Sequence, residues 1–488
     1  MPEPTVTDDV AVAIADGVER WANDRVQPLA LDHAHKMDPA LIEEMAEMGL
    51  FGLVLPEAYG GSGLGLAAAA TVIERLARRD RSVATTLGLH LGLGTRGLVR
   101  WGTPEQHERL IPRLASGKAL AAFATTEPDA GSDLTALRTT IEAHPEGISV
   151  RGTKIYVTNG GLATIFTISG RSPGLGGARK GQSLMLLEKG DKGLEVGAEE
   201  GKLGLRASST TTLNLDDMVV GADRILGAPG TGADMLRHIL AWGRTVMAAG
   251  CVGTAVAAYT ATRRHTAERV QFGKSLDKLA VVREQLADMA ALIYAARALV
   301  DQTTADEENL EVPSLSAKVF ASECSGEVCD LAIQLHGGAG YIEETGIPLM
   351  LRDTRITRIF EGANDVLRIH RGLFAVVAEA PPAADGSASA ASVAARKVRA
   401  EAFRATQNAK DRLGIRLAGD HPTLHQLGAR AILADAAEAA ARRADREGNE
   451  TSAALALRWA EMAASRIAAI DAREPAKLQS ERCMEWSP

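Results

Sequence analysis

The chain is 488 residues long and carries a formal net charge of −8, with aromatics making up only 4%. That length accommodates two to four domains and a sizeable core, and the acidic balance removes any global electrostatic reason to expect nucleic acid. Abundant alanine with few aromatics points to helices packed closely through small residues. Cys251, Cys324, Cys329 and Cys483 fit a reducing compartment; no histidine or second pair completes a metal set, so they read as small helical residues. The acidic N-terminus, MPEPTVTDDVAVAIADGVERW, lacks the basic and apolar regions of a signal peptide. No apolar run approaches the roughly 18 residues of a membrane span. A cytoplasmic protein is the expectation.

Residues 1–118 read as a helical domain. Val10, Ile14, Val18 and Trp21 recur at helical spacing after Asp8 and Asp9, which can cap. Asp38-Pro39 starts a helix with Leu41, Met45 and Met48; glycine-rich LPEAYGGSGLGL (55–66) is a loop leading into a helix over 67–79. Thr103-Pro104-Glu105-Gln106 is a capping box for a helix running to about Ala115. Gly92, Gly94 and Gly97 match GxGxxG, but within a helical pattern rather than after a strand, so the match is chance.

From 119 to 228 the helical period gives way to β-rich segments, Ile148–Ile155, Ile165–Ser169, Ser183–Leu187 and Thr211–Val219, which suggest an antiparallel sandwich or barrel. Gly170–Gly181 reads as a flexible surface loop between two of them. Helices return over 229–378 (Gly232–Arg269, Asp277–Ala305, Pro313–Leu335 and Asp365 to about Ala378), in the manner of an antiparallel bundle. Residues 379–391 have linker composition, and 392–488 form a helical extension with Leu424, Leu427 and Ile432 on one side of a helix. Residues 391–488 carry a net charge of +3 against −11 for the rest, which reads as a solvated face.

Five segments carry potential chemistry. TTEPDAGSD (125–133) opens the β region with hydroxyls and a turn, suited to a polar ligand but also to a plain capped turn. Tyr156 and Thr158 share one strand face, where they could flank a planar ring, and Asn159-Gly160 supplies a turn. RVQFGK (269–274) interrupts the long helices with a cation, an amide and an aromatic. QLHGGAGY (334–341) ends a helix with glycines that admit close backbone approach, or act simply as a C-cap. In RIFEGAND (358–365), Glu361 stands between Phe360 and Gly362 among arginines. A carboxylate so placed can be desolvated into a tuned base, although the stretch alone also fits a salt-bridging surface glutamate.

In this order and spacing the five motifs resemble the acyl-CoA dehydrogenase family over about residues 5–378, and RIFEGANDVLR followed by a linker and more helices is most similar to the very-long-chain branch. The resemblance implies an α+β multidomain fold, with an N-terminal helical domain, a middle antiparallel β domain, and a C-terminal helical bundle plus extension. It implies FAD, and Glu361 as the base that takes the α-proton of an acyl-CoA thioester while the β-hydride passes to flavin N5, giving a trans-2-enoyl-CoA. The Glu361 amide and a flavin ribityl hydroxyl would hold the thioester carbonyl. Carried over by position, Thr125, Thr126, Ser132, Tyr156, Thr158, Ala363 and Asp365 would bind cofactor. Arg269, Gln271, Phe272, Gln334, Gly337 and Gly338 would do so across a subunit boundary. Ser132, Arg244 and Gly362 would meet the substrate. A variant base known in the family would sit at Gly243, which cannot act. Ala363 replaces a usual threonine and Val270 a common lysine.

An electron-transfer flavoprotein as acceptor and a homodimer are further implications. No metal and no nucleic acid are expected, and the extension is the segment through which the very-long-chain resemblance would imply membrane contact, although its arginines are interleaved with acids. An acyl-CoA oxidase or an acyl-carrier-protein dehydrogenase uses the same base and stays open. So does an FAD-containing nucleic-acid-binding or assembly protein of the same fold.

Overall fold

The computed structural model describes residues 6–177, 181–380 and 388–472, so most of the expected linker, part of the 170–181 loop and Cys483 lie outside the described residues. The chain begins with α1 (Val6–Arg25), α2 (Pro28–Ala34), α3 (Pro39–Glu47), α4 (Leu66–Arg79) and α5 (Arg81–Leu89). A single π-helical turn, His90–Gly94, passes into α6 (Thr95–Trp101), and α7 (Pro104–Ala115) follows. Both hydrogen bonds of the Thr103/Gln106 capping box form. In α1 the expectation needs correction. The helix already runs from Val6, placing Asp8 and Asp9 inside it, and its buried side is Ala11, Ala15, Val18 and Ala22 while Val10 is exposed. Ile14 and Trp21 pack, partly buried, against the same core as Ala15, Val18 and Ala22, so Val10 alone of the expected residues faces away.

The three glycines of the GxGxxG match serve packing. A Cβ on Gly94 would stand 2.8 Å from that of Ala121, one on Gly97 3.0 Å from Ile239 and Leu226, and one on Gly92 3.5 Å from the Gly243 Cα.

Strands β1 (Ala121–Ala124), β2 (Thr140–His144), β3 (Gly147–Thr158), β4 (Ile165–Arg171), β5 (Gln182–Glu188), β6 (Leu194–Glu199), β7 (Thr210–Val220) and β8 (Ile225–Leu226) form one sheet. Its order is β6-β7-β3-β2-β4-β5-β8, with β1 beside β4. The sheet is mixed, not purely antiparallel: β1 runs parallel to β4 from Ala121↔Ile165, and β2 meets β4 in parallel at Thr140↔Arg171. β1 and β2 therefore lie end to end along one edge of β4, and the loop holding TTEPDAGSD is an excursion between them. β3 and β4 are not neighbours, so Asn159-Gly160 turns the chain without making a hairpin.

The second helical region contains α8 (Gly232–Glu268), a two-residue hairpin of β9 (Val270–Gln271) and β10 (Lys274–Ser275), then α9 (Ala280–Thr304), α10 (Glu311–His336), α11 (Ile347–Arg355) and α12 (Asn364–Val377). The extension folds as α13 (Ala390–Leu413), α14 (His421–Glu447) and α15 (Glu450–Asp471). α8 is the spine. Its first turns join the core shared by α6, α7 and the sheet; Ala241, Trp242 and Val246 join the N-terminal core; Met247 to Ala258 join the bundle. Its length and apolarity would suit a membrane span, but its most apolar stretch is 83% buried in these cores.

The extension shares the bundle's core, with Trp459 fully buried and its ring 4.8 Å from that of Phe320. α14 meets α12 almost backbone to backbone. A Cβ on Gly428 would collide with the Arg368 carbonyl, and one on Gly372 with the Leu424 carbonyl. Asp435 of α14 is held, largely covered, between Arg371 (2.9 Å) and Arg399 (2.6 Å) and accepts from Ser316 at 2.5 Å. Burial opposes its charge, but the two guanidiniums and the hydroxyl outweigh that and hold its pKa low. Leu424, Leu427 and Ile432 are all buried, as their spacing predicted.

Candidate active site

The β1–β2 excursion is anchored from beneath. Lys154 of β3, fully buried, places Nζ 2.6 Å from Glu127 Oε1 and 3.2 Å from the Thr125 carbonyl. Glu127 also accepts from the Thr139 amide at 3.1 Å and the Arg138 amide at 2.5 Å. Burial works against the Glu127 charge, yet these donors outweigh it and keep the pKa below its ordinary value; burial pushes Lys154 down to about 8. With the loop so fixed, Thr125 shares a 2.6 Å hydrogen bond with Ser169, and Thr125, Thr126 and Ser132 line one wall of a cavity of about 300 Å³.

Tyr156 and Thr158 line the same cavity. The β3–β7 register slips between Lys154 and Val157, and Tyr156 occupies that bulge at φ 56°, its side chain 65% exposed. A tyrosine in the left-handed region is strained, and a bulge re-aims its ring. Behind it Asn159, also left-handed and fully buried, donates to the carbonyl of Thr86 at 2.9 Å, tying the strand end to α5.

Opposite stands Glu361. It too is left-handed, at φ 55°, between the short helical turn Ile356–Arg358 and α12. Its Oε2 is buried without a hydrogen-bond partner. Burial pushes its pKa up to about 7, only partly offset by the charges of Lys318, Arg244 and Arg81. The surface it retains faces the cavity it lines. Arg244 Nε donates to the Glu361 carbonyl at 2.9 Å, and burial draws the arginine down to about 10. Gly243, one residue earlier, lies so close that a Cβ there would stand 3.1 Å from Glu361 Oε2 and collide with Leu93. Lys318 of α10, absent from the sequence reading, is fully buried; its Nζ donates to the Gly362 carbonyl at 2.7 Å and to Asn364 Oδ1 at 2.8 Å. Its signal was a lone lysine in the small apolar run SLSAKVFAS.

The cavity thus gathers Thr125, Thr126, Ser132, Tyr156, Thr158, Arg244, Glu361 and Gly362. Ala363 sits at the N-cap of α12 without a side-chain capping bond. Asp365, expected at the cofactor, is not among the residues that line this cavity. It is turned outward, paired with Arg368 at 3.2 Å and with His425 of α14 at 3.1 Å. Arg269, Gln271 and Phe272 lie on the exposed β9–β10 hairpin, Phe272 at φ 52° and 89% exposed at the tip. Gln334, Gly337 and Gly338 end α10 beside that hairpin, where His336 stacks on His265 with centroids 4.3 Å apart. Arg269 lies twenty-six positions beyond Gly243, just past the end of α8, or roughly 40 Å away at 1.5 Å per residue. One chain cannot bring this second group to the cavity. Among the described residues no cluster of His, Cys, Asp and Glu could hold a metal. Hydroxyls on one wall, a strained tyrosine above them and a protonatable carboxylate opposite could hold a flat cofactor on one side and a substrate on the other.

Comparison with known sequences shows the family. Residues 8–118, 122–218 and 230–372 match the N-terminal, middle and C-terminal domains of acyl-CoA dehydrogenase. The very long-chain specific acyl-CoA dehydrogenase of Rattus norvegicus is 35% identical over 362 residues, covering 72% of this chain but 55% of that protein. The chain therefore matches about half the length of such relatives. A short-chain specific acyl-CoA dehydrogenase of Clostridium acetobutylicum is 33% identical, with 72% of this chain and 94% of that one covered. The crystal structure of an acyl-CoA dehydrogenase complexed with FAD from Bacillus anthracis superposes with a TM-score of 0.86 at 28% identity, covering 96% of this chain and 88% of that one. This chain belongs to the acyl-CoA dehydrogenase family.

Proposed function

We infer that the protein catalyses FAD-dependent α,β-dehydrogenation of an acyl-CoA thioester to the trans-2-enoyl-CoA. The observation that carries this reading is Glu361, a cavity-lining carboxylate with a pKa near 7 and one oxygen that has no hydrogen-bond partner. A base of that pKa is half ionised near neutrality and gains driving force as the α-proton leaves. Arg244, by holding the Glu361 carbonyl, fixes the turn and leaves the backbone amide of Glu361 to meet the thioester oxygen. The cavity excludes bulk water from the developing enolate.

The flavin, when bound, supplies a hydride acceptor for the β-carbon. Thr125, Thr126, Tyr156 and Thr158 would hold its ring system, Ser132 and Gly362 the region between ring and thioester. The fit rests on the hydroxyl wall and on the strain that aims Tyr156 across it. The distant pair of motifs supports a homodimer, in which Arg269, Gln271, Phe272, Gln334, Gly337 and Gly338 of one chain reach the cofactor of the other. An electron-transfer flavoprotein is the proposed electron acceptor; an oxidase would instead give the electrons to oxygen, using the same base.

The test is anaerobic addition of acyl-CoA to the yellow holoenzyme. Bleaching of the flavin in the wild type, and its loss in a Glu361→Gln variant that stays yellow and folded, are expected. Near-normal turnover by that variant would sink the assignment of the base.

A further inference from the structure

The wall of the cavity beyond Glu361 is not uniformly apolar. Arg81 opens α5, is 5% exposed, and lines the cavity together with Thr85. Four residues apart on one helix, the two side chains share a face. Nη2 of Arg81 donates to the Met247 carbonyl at 3.1 Å and approaches Cys251 Sγ at 3.6 Å. Its Nε is buried without a partner, and so is the Thr85 hydroxyl. Glu361 feels the Arg81 charge only through space, and among the described residues no carboxylate pairs with the guanidinium.

A buried cation without a counter-ion is a large burden on a fold, and buried donors are normally satisfied. The chain nevertheless makes room for this one. Gly250 lies in the middle of α8, where glycine weakens a helix, and a Cβ there would fall inside the Arg81 guanidinium. A longer aliphatic wall would have needed neither residue.

The position of the pair along the cavity indicates what it meets. Glu361 lies level with Gly243, whereas Arg81 is held at Met247 and Cys251, four and eight residues further along α8. At 1.5 Å per residue that is roughly 6–12 Å past the base, on the side remote from exposed Arg237. A thioester whose α-carbon stands at Glu361 would direct the far end of a short acyl chain at Arg81 and Thr85.

We propose that Arg81 and Thr85 form a subsite for a carboxylate at the distal end of the acyl group, so that the preferred substrate is a short ω-carboxyacyl-CoA rather than a plain alkanoyl-CoA. This rests on the acyl-thioester reading of the cavity. The guanidinium supplies a charge-assisted donor through Nε and the threonine a neutral one. Ile73, Ala84 and Gly88 leave the space around them narrow and apolar.

The test compares adipoyl-CoA with 6-methylheptanoyl-CoA, in which an isopropyl group replaces the carboxylate at nearly equal shape. Binding is measured calorimetrically on the FAD-loaded Glu361→Gln protein, which separates recognition from turnover. Tighter binding of adipoyl-CoA by about tenfold or more is expected, with the preference abolished or reversed when Arg81→Leu is added. Should Arg81→Leu fail to fold, Thr85→Val, which keeps side-chain shape, is expected to lower the preference several-fold. Tighter binding of the alkyl thioester, or a preference that neither substitution changes, overturns the subsite. Failure of the wild type to bleach with either thioester speaks against dehydrogenation instead, while the binding ratio still judges Arg81 and Thr85.

Discussion

Lys318 Nζ donates to the carbonyl of Gly362, the residue directly after the proposed base, at 2.7 Å. The same ammonium reaches Asn364 Oδ1 at 2.8 Å, and Asn364 donates onward to Ser322 at 3.0 Å and Glu323 at 3.1 Å. A turn strained at φ 55° is thereby pinned to a rigid helix.

Lys318→Met removes that pin, strips the Gly362 carbonyl of its donor and leaves Asn364 Oδ1 with only the longer bond from Ser322 at 3.4 Å. Loss of about 2–4 kcal/mol in chemical denaturation is expected. The substitution also deletes the charge that most lowers the Glu361 pKa, so the midpoint of the pH–rate profile should move up. A stability loss with an unmoved midpoint would assign Lys318 to the fold alone.

Glu361 itself gives two pH effects of opposite use. As a base it acts when ionised, so the rate of flavin bleaching should rise with pH through about 7. As a buried group it binds its proton more tightly folded than unfolded, 7 against 4.5, so the stability it contributes is full below 4.5 and lost as pH rises through 7. Glu361→Gln should therefore match the wild type in acid and exceed it above neutrality, by roughly 1–3 kcal/mol, in melting curves taken across that range.

Lys154 and Glu127 form a buried ion pair that carries the β1–β2 excursion. Lys154→Met alone strands a buried carboxylate and should cost about 3–5 kcal/mol. Combining it with Glu127→Leu should cost less than the sum of the single changes, since neither charge then remains. Simple additivity in urea titrations would show that the pair does not act as a unit.

Ala363 stands at an N-cap with φ −58° and ψ 137° and no capping side chain. Ala363→Thr supplies a hydroxyl to the first free amides of α12 and should raise stability by about 0.5–1 kcal/mol. An unchanged melting temperature would mean that the new hydroxyl does not reach those amides.

Where local chemistry dominates, the sequence was legible. The Thr103/Gln106 box, the Asp38-Pro39 start and the long strands Gly147–Thr158 and Thr210–Val220 declare themselves through capping residues and β-branched runs. β1 does not: Ala-Ala-Phe-Ala has no strand signature and pairs only because β4 is beside it. The parallel pairing was hidden for the same reason. Within the site, Glu361, Arg244, Tyr156 and Thr158 lie in short motifs that hold together as family patterns. Arg81, Thr85, Lys154 and Lys318 come from elements far apart in the chain, and their chemistry exists only once α5, β3 and α10 are packed. For Asp365 the motif could not show its neighbours: the first turn of α12 sets it beside His425 of α14, 60 residues on.

Gly372 and Gly428 bring α12 and α14 together with no side chain between them, and α12 starts three residues after Glu361. The C-terminal helices thus act as a splint on the strand of chain that carries the base. Cutting the protein back to residue 379 would leave α9, α10 and α12 with a bare apolar flank and Arg371 without Asp435. A shorter catalytic unit made from this sequence would need that flank redesigned with polar residues before it could stay in solution.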